Sequence, residues 1–390
     1  MATETRPIVP FLKYRLTVRP LTAVHIGNDE SVAPYEYDIQ LVESGKYGIL
    51  TVYNLNLLLS GLTSTQRVEF QTVSDSLDMK ALRRWLRKTA DPEKHKRFRA
   101  VMAWDAARDL HDSLDDLGRE GIIHLQLRTA GNQTPIIPGS SIKGAIRTAV
   151  IDRLLRNGGD RKPQVRDAVF GRGQNTGAKM EGALMEYYGD LRRDPFRQLA
   201  ISDAPFDLGS TCIERIEAVR SDGKPPKEDG IRMYREILMG TAYVGQNNSA
   251  VADLRLSPCL ADRKQLKPQF SNKTHQDEDI HLPMAFSTEQ LLADCNFFYQ
   301  SMCLEECETF RTQKNTPFSS GDHVANVMNA VDLLQPNQCV IRLGHHSHFD
   351  AVTVHGDLRQ PPAKYNGRIR WFAGGYVPLG WVVLTIDPVP

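Results

Sequence analysis

In "KYRLTVRPL", Tyr14, Leu16 and Val18 alternate with Lys13, Arg15, Thr17 and Arg19. A period of two places these sets on opposite faces of a half-buried strand, one facing a core and the other basic. "YEYDIQLV" and "YGILTVY" read as further strands across the turn-like "ESGK". The pattern resumes in "GIIHLQLR", with Ile123, Leu125 and Leu127 inward and His124, Gln126 and Arg128 outward. "RQLAISDAPF", "TCIERIEAVRS" and "IRMYREILMGTAYV" are additional strand candidates. "GYVPLGWVVLTIDP" carries an unbroken apolar run, the mark of a strand buried on both faces. Strands thus lie near both ends of the sequence, so the core sheet is assembled from distant parts of the chain.

Helical spacing dominates elsewhere. "TPIIPGSSIKGAIRTAVIDRLLRNGG" gives a short strand, a Pro-Gly turn, a helix with Ile142, Ile146, Ala149, Val150 and Leu154 on one side, and a glycine stop. "FSTEQLLADCNFFYQSMCLEECETF" opens with a capping-box pattern from Ser287 to Gln290 and puts Leu291, Cys295, Phe298 and Met302 on one stripe. A shorter helix, "HVANVMNAVDLL", follows. Residues 75–120 read as an inserted helical lobe rich in Lys and Arg, interrupted at Pro92. A charge run of that kind is ordinarily a solvated face. The organisation expected is core over 1–74, basic lobe over 75–120, core with loops over 121–250, irregular segment and helical insertion over 251–340, then a glycine/histidine loop and final strands over 341–390.

With 390 residues, 41% of them hydrophobic and 24% charged, the chain can bury a large core. No apolar run is long enough to cross a bilayer and the first residues lack a signal-peptide pattern, so a cytoplasmic location is expected. Six cysteines in so long a chain read as reduced thiols. Forty-eight basic against forty-seven acidic residues leave a net charge of +1, so any nucleic-acid surface must be a local concentration of charge.

Two stretches carry candidate chemistry. In "PGSSIKGAIRT", Ser140 can cap the helix, its first amides form an anion site, Lys143 and Arg147 lie one turn apart, and Gly144 keeps that face low. The spacing excludes a nucleotide triphosphate-binding loop. In "IRLGHHSHFDAVTVHG", His345, His346 and His348 crowd beside Asp350. Metal binding needs converging ligands, yet adjacent side chains of an extended loop diverge. Imidazoles there can instead stack on bases, donate to phosphates, or serve as acid and base. Cys295, Cys303 and Cys307 read as core thiols, and Asp29, Asp38 and Asp203 are the acids nearest these loops.

Taken in order, "LTAVHIGNDE", "PIIPGSSIKGAIRTAV", "IRLGHHSHFDAVTV" and "PLGWVVL" resemble the RAMP proteins of CRISPR systems. More narrowly, the set looks like the subunit that caps the 3′ end of the guide RNA in type III-A (Csm) effector complexes. The resemblance implies an α+β chain with an RRM-like, ferredoxin-type βαββαβ core, large helical and loop insertions, and loops that hold the guide RNA (crRNA) backbone. Position by position it assigns RNA contact to His25 and Gly27, to Gly139, Ser140, Ser141, Lys143, Gly144 and Arg147, and to Arg342, Gly344, His345, His346 and His348. His346 and His348 stand where the family has glycines, so imidazoles replace a close backbone approach there. The implied partners are crRNA, a neighbouring backbone RAMP subunit, a small helical subunit and target RNA, with no membrane. No cofactor, metal or catalytic residue is implied. The alternative is an RNA endonuclease using loop histidines or aspartates, such as His25 with His346 or His348.

Overall fold

The structure is a computed structural model. It describes residues 11–112, 121–159, 162–170, 176–220, 233–241, 248–257, 282–311, 322–345, 347, 351, 369–375 and 377–389. The expected first strand forms over Leu12–Pro20, with Leu16 and Val18 buried and Lys13 and Arg15 on the open face. It pairs antiparallel on both sides, Leu16 lying opposite Ala252 in Ala250–Leu256 and opposite Ile386 in Trp381–Pro388. Among the described residues this sheet has five strands, in the order Gln338–Arg342, Trp381–Pro388, Leu12–Pro20, Ala250–Leu256, Leu199–Ile201. All its pairings are antiparallel. Trp381, Val382, Val383 and Leu384 are fully buried, which is why this strand carries no alternation.

Two helices pack against this sheet. Gly139–Arg156 turns Ile142, Ile146, Ala149 and Val150 into the core, and Gly158 takes φ 93° just beyond its end. Thr288–Arg311 buries Leu291, Cys295 and Phe298, and its first turn is capped by Ser287 Oγ, which accepts from the Gln290 amide at 3.2 Å. The Tyr299 hydroxyl donates to the Ala145 carbonyl at 3.1 Å and ties the helices together. Cys295, Cys303 and Cys307 are core thiols. None of the described helices is long and apolar enough to cross a membrane.

The α+β class is as expected, but the strands divide between two large sheets, with a two-stranded pair of Ile136–Ile137 and Ala204–Pro205 beside them. Among the described residues the second large sheet has nine strands and is built from Tyr37–Val42, Tyr47–Tyr53, Lys96–Ala103, Thr211–Arg220, Met233–Leu238, Ile123–His124 and Ser31–Val32, with Ile369–Ala373 and Val377–Pro378 alongside. Lys96–Ala103 corrects the helical reading of residues 75–120. Ala100 and Met102 face the core while Lys96, Arg97, Arg99 and Val101 are exposed, a period of two hidden beneath a basic composition. Helix Trp104–Asp112 covers this sheet with Ala106, Ala107 and Leu110. Helices Leu55–Ser60, Ser64–Asp75 and Met79–Thr89 form a separate lobe around Leu58, Trp85 and Leu86.

Candidate nucleic-acid interface

The segment after the first strand passes from one sheet to the other. Leu21 N donates to Trp381 O, Gly380 N to Ala23 O, and Val24 exchanges both backbone bonds with Leu238, at 2.7 and 3.0 Å. Clamped on both sides, the chain delivers His25 to a buried position, 2% exposed. His25 Nδ1 lies 2.6 Å from the Glu236 carbonyl oxygen. A carbonyl only accepts, so Nδ1 carries the hydrogen and Nε2 presents a lone pair. That lone pair accepts from Arg235 Nη1 at 3.0 Å. Burial first, and the Arg235 charge beside it, push the His25 pKa down to about 3, against the bond to Glu236. The imidazole is neutral at pH 7.

The glycine/histidine loop docks on this point. His345 N donates to His25 O at 2.8 Å, and the two rings stand perpendicular with centroids 6.3 Å apart. Gly344 adopts φ 88°, and a Cβ there would lie 2.4 Å from His25 O. Its close approach is therefore to the chain's own loop, and glycine is required for both reasons. His124 completes the group from strand Ile123–His124. Burial and the Arg235 charge lower the pKa of His124 and of His345, while Asp29, a rim residue at φ 64°, opposes both shifts.

A polar network lies beneath. Glu236 is fully buried and pairs with Arg128, accepts from Thr211 Oγ1 at 2.7 Å, and accepts from Gln126 N at 3.1 Å. Gln126 accepts from Ile26 N and donates to Ile136 O, both at 2.9 Å. The residues expected to face outward on "GIIHLQLR" thus hold the His25 loop and the strand leading into Gly139. His124, Arg235 and Glu236 went unassigned in the sequence because alternation reports a face and not what covers it.

The helix motif is engaged internally. Ser140 is not the cap: Pro138 holds that position, and Asp203 Oδ1 accepts from Gly139 N at 2.9 Å. A carboxylate thus already occupies the positive end of the helix. A Cβ on Gly139 would fall 2.1 Å from Ile201 O, so this glycine serves close packing on strand Leu199–Ile201. Ser140 and Gly144 are exposed and Ser141 half-buried. Lys143 Nζ donates to Leu199 O at 2.6 Å. Arg147 pairs with Glu181 and, at 3.0 Å, with Asp194, and covers the Phe196 ring at 4.8 Å. Arg342 is 3% exposed and bonds Glu306 at 2.9 Å and Leu379 O at 3.1 Å. The structure therefore gathers His25, Gly27, Gly344 and His345, and turns the charges of Arg147 and Arg342 inward. His346 and His348 lie outside the described residues. Among the described residues no cluster of three or more His, Cys, Asp or Glu is arranged to hold a metal ion.

A family model described as RAMPs, RAMP superfamily, matches residues 17–247. No curated protein matches the sequence. Among solved structures, a chain of the cryo-EM structure of a Csm-crRNA-target RNA ternary complex in a type III-A CRISPR-Cas system superposes with TM-score 0.60 at 18% identity, over 95% of this chain and 100% of that one. The crystal structure of T. onnurineus Csm5 superposes with TM-score 0.56 at 17% identity, over 94% and 99%. At such identity the likeness is one of fold.

Proposed function

The chain belongs to the RAMP superfamily, and from that premise we propose that it is a non-catalytic crRNA-binding subunit of a type III-A effector complex, capping the 3′ end of the guide. The observation that carries this reading is the convergence of the His25 loop and the Gly344–His345 loop through the 2.8 Å bond between His345 N and His25 O, beside the cationic Arg235. Two loops so joined, with Gln126 linking them to the strand before Gly139, form one cradle from three distant motifs. In this reading the five-stranded sheet is the RRM-like core. Leu12–Pro20, helix Gly139–Arg156, Leu199–Ile201, Ala250–Leu256, helix Thr288–Arg311 and Trp381–Pro388 follow the βαββαβ order of a ferredoxin-type unit, and Gln338–Arg342 is an added edge strand.

The guide enters chiefly through its ribose-phosphate chain, so binding is tolerant of sequence and falls with salt. A neighbouring backbone RAMP subunit, a small helical subunit and target RNA are the remaining partners, in the cytoplasm. The experiment is to assemble the effector complex with and without this chain and to sequence the RNA that co-purifies. Capping predicts a defined guide 3′ end that becomes ragged or displaced without the chain; identical 3′ ends in both preparations refute it. Incubation of the purified chain with labelled guide precursor, in EDTA and in Mg²⁺, is expected to leave the RNA intact. Cleavage abolished by His346→Ala would establish the endonuclease alternative instead.

A further inference from the structure

Arg235 is 7% exposed, yet among the described residues no carboxylate pairs with its guanidinium and its Nε has no hydrogen-bond partner. Its one hydrogen bond goes to His25 Nε2, an uncharged acceptor. Glu214 lies opposite it in the strand register, but that carboxylate accepts from the Arg215 amide at 2.8 Å. Arg128, on the neighbouring strand, shows the contrast, since its guanidinium meets Glu236 directly. A buried cation without a counter-ion is costly, and an anion brought to it would offset that cost.

The surroundings select the anion. His124 flanks Arg235 across the parallel pairing of Ile123–His124 with Met233–Leu238, and exposed His345 is held over the same point by His25 O. Both imidazoles stay neutral near pH 7, so neither adds charge beside Arg235. One positive charge with a forked set of N–H donors and uncharged rings beside it matches a singly charged oxyanion with several acceptor oxygens, which is a phosphodiester. Gly27 leaves room above His25, since a Cβ there would come within 3.1 Å of Nε2. Asp29 stands at the rim, where its electrostatic effect reaches His124 and His345, and it forms no ion pair with Arg235.

We propose that Arg235, flanked by His124 and His345, is the floor of a pocket that takes one phosphodiester group of the bound RNA. This rests on the reading that the chain holds guide RNA, and it names the contact. The pocket uses none of the positions expected to supply cations, because Arg147 and Arg342 are engaged with Glu181, Asp194 and Glu306.

The test titrates fluorescein-labelled single-stranded RNA into wild type, Arg235→Gln and His345→Ala, following anisotropy across a salt series. In parallel, melting is measured in inorganic phosphate and in chloride at matched ionic strength. Arg235→Gln is expected to bind RNA about tenfold more weakly, with a salt slope shallower by about 0.7, the loss of one phosphate contact on a single strand. His345→Ala is expected to lose about two- to threefold. Phosphate should raise the melting temperature of wild type and leave that of Arg235→Gln unmoved. A folded Arg235→Gln with unchanged affinity and slope overturns the pocket while the RNA reading stands. If Arg235→Gln does not fold, unchanged RNA binding by His345→Ala together with no phosphate-specific stabilisation of wild type overturns it. Should wild type bind no RNA but show stabilisation by phosphate that needs Arg235, the guide-binding reading is what fails.

Discussion

Acidification should loosen this protein through one imidazole. His25 Nε2 cannot be protonated where it stands without losing its bond from Arg235, because a second N–H would then face the guanidinium N–H 3.0 Å away. In the unfolded chain the same ring takes up its proton near pH 6.5, and in the folded protein only near pH 3. Between those values the unfolded state binds more protons, so stability is full above the upper value and is lost as pH falls toward the lower one. At about 1.4 kcal/mol per unit, the whole window is worth about 5 kcal/mol, and about 2 kcal/mol is gone by about pH 5. His124 and His345 are shifted the same way and add to the slope.

The assay is urea unfolding at a series of pH values for wild type and for His25→Gln, whose side chain takes up no proton. The variant starts from a lower stability, but its curve should be flatter by about 2 kcal/mol between neutrality and about pH 5. Parallel curves for the two proteins, or a His25 ring that titrates near 6.5 by NMR, would refute the assignment of a desolvated, guanidinium-bonded imidazole.

Glu306→Gln should destabilise by about 3–5 kcal/mol, measured by denaturant unfolding. Its carboxylate accepts from Arg342 Nη1 at 2.9 Å, Arg370 Nε at 2.8 Å and Trp381 Nε1 at 2.7 Å, and buried Arg342 would lose the carboxylate it pairs with; a loss below about 1 kcal/mol would contradict the account. The motif glycines should separate in sign. Gly139→Ala forces Cβ against Ile201 O and is expected to lower stability by about 1–3 kcal/mol, whereas Gly144→Ala meets nothing within 4 Å and should raise it by up to about 1 kcal/mol. If RNA runs over the exposed Gly144 face, the same Gly144→Ala will weaken RNA binding while stabilising the protein, and anisotropy measurements will read that out.

The local parts of this fold were written plainly in the sequence. Alternation in "KYRLTVRPL" placed both faces of the first strand, the spacing of Ile142, Ile146, Ala149 and Val150 set the buried side of the motif helix, and Ser287 announced the start of the long one. What stayed hidden was pairing at a distance. Arg147 finds Glu181 and Asp194, 34 and 47 positions away, and Gln126 finds Glu236, 110 positions away. No local window holds both partners of such a pair, so a cation on a motif reads as available until the fold is known. Lys96–Ala103 was missed for a related reason: Arg97 and Arg99 between apolar neighbours mimic a charged helix face when composition outweighs period.

The same distinction bears on how a chain with a net charge of +1 would engage the polyanion proposed for it. Long-range attraction scales with uncompensated charge, and ion pairing inside the fold removes cations from that total. Arg128, Arg147 and Arg342 each meet a carboxylate, so their field outside the molecule is largely cancelled. Arg235 keeps its field because, among the described residues, its partner is a neutral ring, and that ring stays neutral because burial and the guanidinium together disfavour its proton. The two groups therefore depend on each other. His25 holds the arginine in place without quenching it, and the arginine keeps His25 from becoming a second cation that would repel it. Replacing His25 with a carboxylate would set a counter-charge beside Arg235 at the cost of the bond to Glu236 O, so a folded His25→Asp is expected to be deficient in RNA binding by the same anisotropy assay, and unchanged affinity would refute the dependence of anion binding on an unquenched Arg235.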